Sequence, residues 1–190
     1  MSKAFKNTIV ILILIAVSVG LGYVCNIIMI NFEKNAHPLM YEELVEKYSE
    51  LYSVDKEIIY AVIKAESGFD SAAKSNAGAV GLMQIMPKTY RDIAERLRED
   101  AVEGLLYDPE TNIKYGTFYL RYLYDRFESW DLAFAAYNAE PSRVTDWLEN
   151  PEYIKDNEIV YIPIEETRNY VKKVNKNKEV YKRLYFSEND

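Results

Sequence analysis

The sequence predicts an all-α protein in which one apolar, membrane-spanning helix precedes a single helical domain. Two observations carry this. Thr8 to Ile30 is a run of 23 residues without a charge. Beyond it, apolar residues recur at three- and four-residue spacing between helix-capping and helix-breaking residues. Strand patterning is scarce: only Glu158–Ile164 reads as a strand, and Pro163 interrupts it. A composition 49 % hydrophobic and 28 % charged is that of a globular protein.

The uncharged run exceeds the roughly 20 residues a helix needs to cross the hydrocarbon core. Lys3 and Lys6 precede it, and the first acidic residue is Glu33. The positive-inside rule then puts residues 1–7 in the cytoplasm, 8–30 in the cell membrane as a single pass, and the rest outside. A cleaved signal peptide is the competing reading. Its apolar region typically spans about 7–15 residues, and the run here is longer, without an obvious cleavage site. Tyr23-Val24 before Cys25 suits a lipoprotein site equally poorly. Residues 31–38 read as a linker and 39–190 as the outer domain.

Within that domain, Tyr41, Leu44, Val45, Tyr48, Leu51 and Tyr52 mark a first helix. Asp55 can cap a second, with apolar Ile58, Ile59, Val62 and Ile63, which Gly68 can end. Pro87 suits the first turn of a third, through Ile93 and Leu97. Asp108-Pro109 opens a fourth through Ile113, Gly116, Leu120, Leu123 and Phe127. Ser129 can cap Asp131–Asn138, Pro141 opens a short helix with Val144, Trp147 and Leu148, and the last runs from about Glu165 through Leu184.

Charge and composition exclude several functions. The net charge is −7, and with Lys3 and Lys6 set aside the outer part carries 21 Lys+Arg against 30 Asp+Glu, or −9. Nucleic-acid binding needs the opposite sign. One Cys allows no internal disulfide, and one His, His37 in the linker, argues against histidine-based metal sites and His-dependent triads. No metal or cofactor is expected, which leaves carboxylates, tyrosines, lysines and amides for any chemistry.

Three stretches stand out. Ile59, Val62, Ile63 and Glu66 stand at i, i+3, i+4 and i+7, so a carboxylate ends an apolar stripe. Burial there raises its pKa, which suits a general acid; a buried glutamate satisfied by a hydrogen bond or a lysine fits the same spacing. Gly81-Leu82-Met83-Gln84-Ile85-Met86-Pro87 reads either as a cleft-lining loop, with Gln84 and Met86 facing a ligand, or as core filling. Ala135-Ala136-Tyr137-Asn138-Ala139 reads either as a cleft wall or as the last turn of a helix.

In order and at these spacings, Glu66-Ser67-Gly68-Phe69, Gly81 to Pro87, Ala136-Tyr137-Asn138-Ala139 and Ile162-Pro163-x-x-Glu166-Thr167-Arg168-x-Tyr170-Val171 resemble the SLT-type lytic transglycosylases. The resemblance spans about Tyr41 to Tyr181 and implies a helical, lysozyme-like fold related to goose-type lysozyme. It implies that Glu66 is the single catalytic acid and base, with Ser67, Ser75, Gln84 and Met86 lining a glycan cleft. It further implies that Tyr137 hydrogen-bonds or orients the carboxyl, that Asn138 contacts substrate, and that Glu166 stands at the edge of the site. Arg168 and Tyr170 are read as structural alternatives.

The activity so implied is cleavage of the β-1,4 bond from N-acetylmuramic acid to N-acetylglucosamine in peptidoglycan glycan strands, with 1,6-anhydro-muramoyl product and without water. A hydrolytic muramidase of the same fold and a non-catalytic glycan-binding wall protein are the alternatives. One departure is visible: the family's Ala-Gly-Pro-Gly is Ala139-Glu140-Pro141-Ser142 here. A residue other than glycine there implies about 1 kcal/mol of backbone strain or a different turn.

Overall fold

The computed structural model describes residues 3–155, 158–159 and 161–187. The chain forms two compact units, residues 1–38 and 39–190. The first is one helix, α1 (Lys3–Ala36). Its stretch Leu12–Ala36 is apolar and long enough to cross a membrane, and none of its most apolar window is buried within the protein. The helix includes most of the segment expected to be a linker, because Asn31–Ala36 holds no glycine or proline and Lys34 suits a last turn.

The second unit is built from α2 (Glu42–Tyr52), α3 (Lys56–Glu66), α4 (Pro87–Leu97), α5 (Pro109–Phe127), α6 (Trp130–Ala139), α7 (Pro141–Leu148) and α8 (Glu165–Tyr181). A 3-10 turn, Glu103–Tyr107, precedes α5, and a π-helical turn, Lys182–Phe186, follows α8. β1 (Ile154–Lys155) and β2 (Glu158–Ile159) pair antiparallel, with Ile154 opposite Ile159 and Lys155 opposite Glu158. The strand expected over Glu158–Ile164 is thus confined to its first two residues among those described; residue 160 lies outside the described residues.

Local punctuation sets the helix starts. The Asp108 carboxylate accepts from the Thr111 amide at 2.8 Å, and Pro109 occupies the first turn of α5. Ser129 Oγ accepts from the Leu132 amide at 3.5 Å to open α6. Asp55 occupies the corresponding position before α3 but makes no side-chain cap bond.

Packing centres on α3. Ile58, Ile59, Tyr60, Ala61, Val62, Ile63 and Ala65 are all buried, so this helix is apolar on every side rather than along one stripe. Each buried Ile or Val side chain is worth about 1.5–3 kcal/mol. α3 packs against α8 and α2, α5 against α6 and α2, and α6 against α8 and α7. The C-terminal end of α3 therefore emerges inside the domain, where Glu66 is its last residue.

Candidate active site

Glu66 lies where α3 stops. Ser67 follows in a helical conformation and Gly68 turns to φ 60°, a region where only glycine is unstrained. The residue is partly buried, and its Oε1 accepts a 2.6 Å hydrogen bond from the Tyr170 hydroxyl on α8. Lys173 Nζ, one turn further along α8, donates to the Ala65 carbonyl at 2.5 Å and caps the last turn of α3. Burial raises the Glu66 pKa to about 7 against the opposing Tyr170 bond and Lys173 charge. A helix C-terminus is also the negative end of the dipole and disfavours a carboxylate. The carboxyl therefore keeps its proton to a higher pH than a free glutamate.

Two tyrosines face this carboxyl. Burial, followed by the Glu66 charge, pushes both the Tyr137 and the Tyr170 phenols well above their ordinary range, so each stays a neutral donor. Tyr137 donates to the Met83 carbonyl at 2.8 Å, and the bond to Glu66 comes from Tyr170 instead. Tyr170, read from sequence as a structural residue, is therefore in direct contact with the acid. Arg168 does hold structure: its guanidinium donates to the Ile162 carbonyl and stacks 4.9 Å from the Tyr161 ring.

The loop 81–86 is held by a residue the sequence reading did not single out. Asn112 on α5 is buried, donates from Nδ2 to the carbonyls of Val80 (2.9 Å) and Leu106 (2.8 Å), and accepts from the Met83 amide at 2.7 Å. Its position in register with Gly116, Leu120 and Leu123 on the apolar face of α5 was the available signal. Gly81 has φ 79° and no room: an added Cβ would lie 2.3 Å from Asn112 Nδ2 and 2.6 Å from the Leu106 carbonyl. Ser67 Oγ ties the end of α3 to the same loop through the Leu82 carbonyl at 2.7 Å.

This loop forms one side of a cavity of about 310 Å³ lined by Gln84, Met86, Lys88, Tyr119, Tyr137, Asn138 and Glu140 among others. Of the residues predicted for the site, Gln84, Met86, Tyr137 and Asn138 thus share one cavity. Gln84 Nε2 is spent on the Gly81 and Ala73 carbonyls at 2.9 and 3.2 Å, which leaves its carbonyl oxygen for a ligand. Asn138 Oδ1 accepts from Thr167 at 2.8 Å, which fixes the amide against α8. Glu66 and Ser67 do not line this cavity; both are partly exposed at the end of α3. Ser75 accepts the Ala79 amide at 2.9 Å inside its own turn, and Glu166 is exposed in the first turn of α8. Among the described residues, no group of three or more His, Cys, Asp or Glu side chains is disposed to hold a metal ion.

The family model of the transglycosylase SLT domain matches residues 43–160. The chain belongs to the SLT transglycosylase domain family. The SLT domain is 39% identical over 142 residues to the soluble lytic murein transglycosylase of Escherichia coli (strain K12), covering 72% of this chain and 22% of the relative. It is 33% identical over 165 residues to the membrane-bound lytic murein transglycosylase C of Actinobacillus pleuropneumoniae serotype 5b (strain L20), covering 74% of this chain and 45% of the relative. Among solved structures, the 70 kDa soluble lytic transglycosylase of E. coli superposes with a TM-score of 0.73 at 36% identity, covering 80% of this chain and 25% of that one. The chain thus spans less than half the length of these curated relatives, and the matching part is the all-α, lysozyme-like domain.

Proposed function

We propose that this protein is a membrane-anchored lytic transglycosylase that cuts peptidoglycan glycan strands, with Glu66 as both acid and base. The observation that carries the reading is Glu66 itself: a partly buried carboxyl at the end of α3, held by Tyr170, with its pKa raised to about 7, and within electrostatic reach of Tyr137, which lines a cavity with other motif residues. Soluble and membrane-bound relatives named as lytic murein transglycosylases support the same reading. So does the solved structure of the Slt protein of Pseudomonas aeruginosa, 33% identical with a TM-score of 0.71, whose glutamate-to-glutamine variant is described as inactive.

The steps are those that the family resemblance implies, with Glu66 in the acid and base roles. Tyr170 occupies Oε1, so the proton resides on Oε2 and passes from there to the oxygen linking the muramoyl and glucosaminyl residues. The glucosaminyl alcohol leaves and positive charge develops at the muramoyl C1. As the family resemblance implies, the substrate's own acetamido group stabilises that charge. Ionised Glu66, favoured by the Tyr170 bond, then takes the proton of the C6 hydroxyl as O6 bonds to C1. The acid is regenerated, a 1,6-anhydro ring closes, and no water is consumed. An internal hydroxyl outcompetes solvent through its high effective molarity. Gln84, Met86, Tyr137 and Asn138 are assigned to sugar binding, Ser67 and Ser75 to shaping the loop beside it, and Glu166 to the rim.

Residues 8–30 are assigned to a single membrane pass, with residues 1–7 cytoplasmic and 39–190 forming the extracytoplasmic catalytic domain. Mass spectra of digested peptidoglycan test the chemistry. Anhydro ends produced by the wild type and not by Glu66→Gln are the expected result. Reducing muramoyl ends alone identify a hydrolase and overturn it. Protease protection in sealed vesicles of known orientation tests the topology.

A further inference from the structure

Glu140 joins α6 to α7 with φ 79° and ψ 141°, a backbone region that residues other than glycine enter at a cost of about 1–3 kcal/mol. Nothing local offsets that cost. Its side chain makes no cap bond to α7, and among the described residues it forms no ion pair. It does line two cavities at once: the 310 Å³ cavity beside Tyr137, and a neighbour of about 300 Å³ that adds Asp92, Arg96 and Tyr122. Lys88, Thr89 and Tyr119 are shared as well, so the two form one furrow with Glu140 at the divide.

The furrow is floored by aromatic rings. Tyr119 lies 5.4 Å from Tyr137 and stacks at 6.3 Å and 13° on Tyr122. The Arg96 guanidinium already sits 4.6 Å over Tyr122, so a cation is accommodated on this floor. Burial, the adjacent Tyr122 and the Glu140 charge push the Tyr119 phenol up to about 12, which puts the carboxylate within electrostatic reach of the ring. An unpaired carboxylate beside aromatic faces is the chemistry that recognises an ammonium group. Acetamido sugars are neutral and have no use for it. Lys88 and Arg96 are the cations lining the same furrow; neither forms an ion pair with Glu140 among the described residues, and both oppose the preference at longer range.

We propose that Glu140 is a specificity-determining residue that favours glycan strands carrying a primary ammonium group. This rests on the glycan-cutting reading of the cleft. The ammonium can belong to a sugar that has lost its acetyl group or to a free amine on a peptide substituent.

Three strand preparations distinguish these sources: fully N-acetylated and peptide-free, partly de-N-acetylated and peptide-free, and acetylated with free-amine peptides. The full chain in detergent is expected to cut one amine-bearing preparation with kcat/KM about 3- to 5-fold above the first, as befits an exposed charge pair. The ratio should fall toward one in Glu140→Gln and at about 1 M salt, and rise in Lys88→Ala. Thermal unfolding of Glu140→Gln and Glu140→Gly, neither below wild type, shows that the fold is kept. A wild-type ratio of one, or a ratio unchanged in Glu140→Gln, overturns the proposal. If no strand is cut, the glycan-cutting reading fails instead. Retention of amine-bearing over acetylated strands by Glu66→Gln, compared with the Glu66→Gln/Glu140→Gln double variant, then still decides the role of Glu140.

Discussion

The Tyr170 hydroxyl donates a 2.6 Å hydrogen bond to Oε1 of Glu66, joining α8 to the end of α3 across 104 positions of sequence. The bond favours the ionised carboxyl while burial favours the acid, and burial prevails, at a pKa of about 7.

Removing the donor should therefore shift the balance further. In Tyr170→Phe the Glu66 pKa rises, and the alkaline limb of the kcat/KM profile moves above its wild-type position near pH 7. The maximal rate falls by roughly 2- to 12-fold, the range of one hydrogen bond's net worth. A limb that stays in place or moves to lower pH contradicts the role given to Tyr170.

Glu66 should also cost stability where it must ionise. Its native pKa lies above the ordinary 4.5, so between pH 4.5 and about 7 the native state holds a proton that the unfolded chain has lost. Stability then falls as pH rises through that window, and above it the full penalty is about 3 kcal/mol. Glu66→Gln removes the penalty. Thermal unfolding is expected to give a higher Tm than wild type at pH 8 and a similar one at pH 4. Equal gains at both pH values would show that the carboxyl is not held in its acid form.

Asn112 makes three bonds to loop backbone from one buried amide. Asn112→Ala leaves those backbone groups unpaired and should cost about 3 kcal/mol or more. Gly81→Ala should cost at least about 2 kcal/mol, since strain at φ 79° adds to the contacts at 2.3 and 2.6 Å. Chemical denaturation measures both. A loss below about 1 kcal/mol for Asn112→Ala would mean that the loop is held by other contacts.

Thr117 offers a prediction of opposite sign. Its hydroxyl is buried and has no hydrogen-bond partner among the described residues. Thr117→Val replaces it with a methyl group of similar size and should raise stability by about 1 kcal/mol, read as a higher denaturation midpoint. A loss of similar size would reveal a partner for the hydroxyl.

Helix starts were legible because their signals are local. Pro87, Asp108-Pro109, Ser129 and Pro141 act on their own turns, and each opens the helix expected of it. The glycine-to-glutamate departure at Glu140 was legible too, because a positive φ is a demand on one residue. Other features depended on distant partners. The 3-10 turn at Glu103–Tyr107 carries no periodic signal, and its Leu106 carbonyl meets its partner on α5. α3 read as striped because spacing reveals one apolar face, whereas α2 and α8 are the elements that cover it.

By itself the sequence determined the helical class, an apolar N-terminal helix, the motifs of the SLT family and the carboxylate that ends α3. Those are properties of neighbouring residues and of their order along the chain. Only the tertiary structure decided which tyrosine holds Glu66, how far its proton affinity rises, and that Asn112 on α5 joins the loop's own bonds in fixing the cleft wall. Proton affinity is set by the water excluded and the donors supplied by α3, α6 and α8 together. No single stretch of the chain contains that environment.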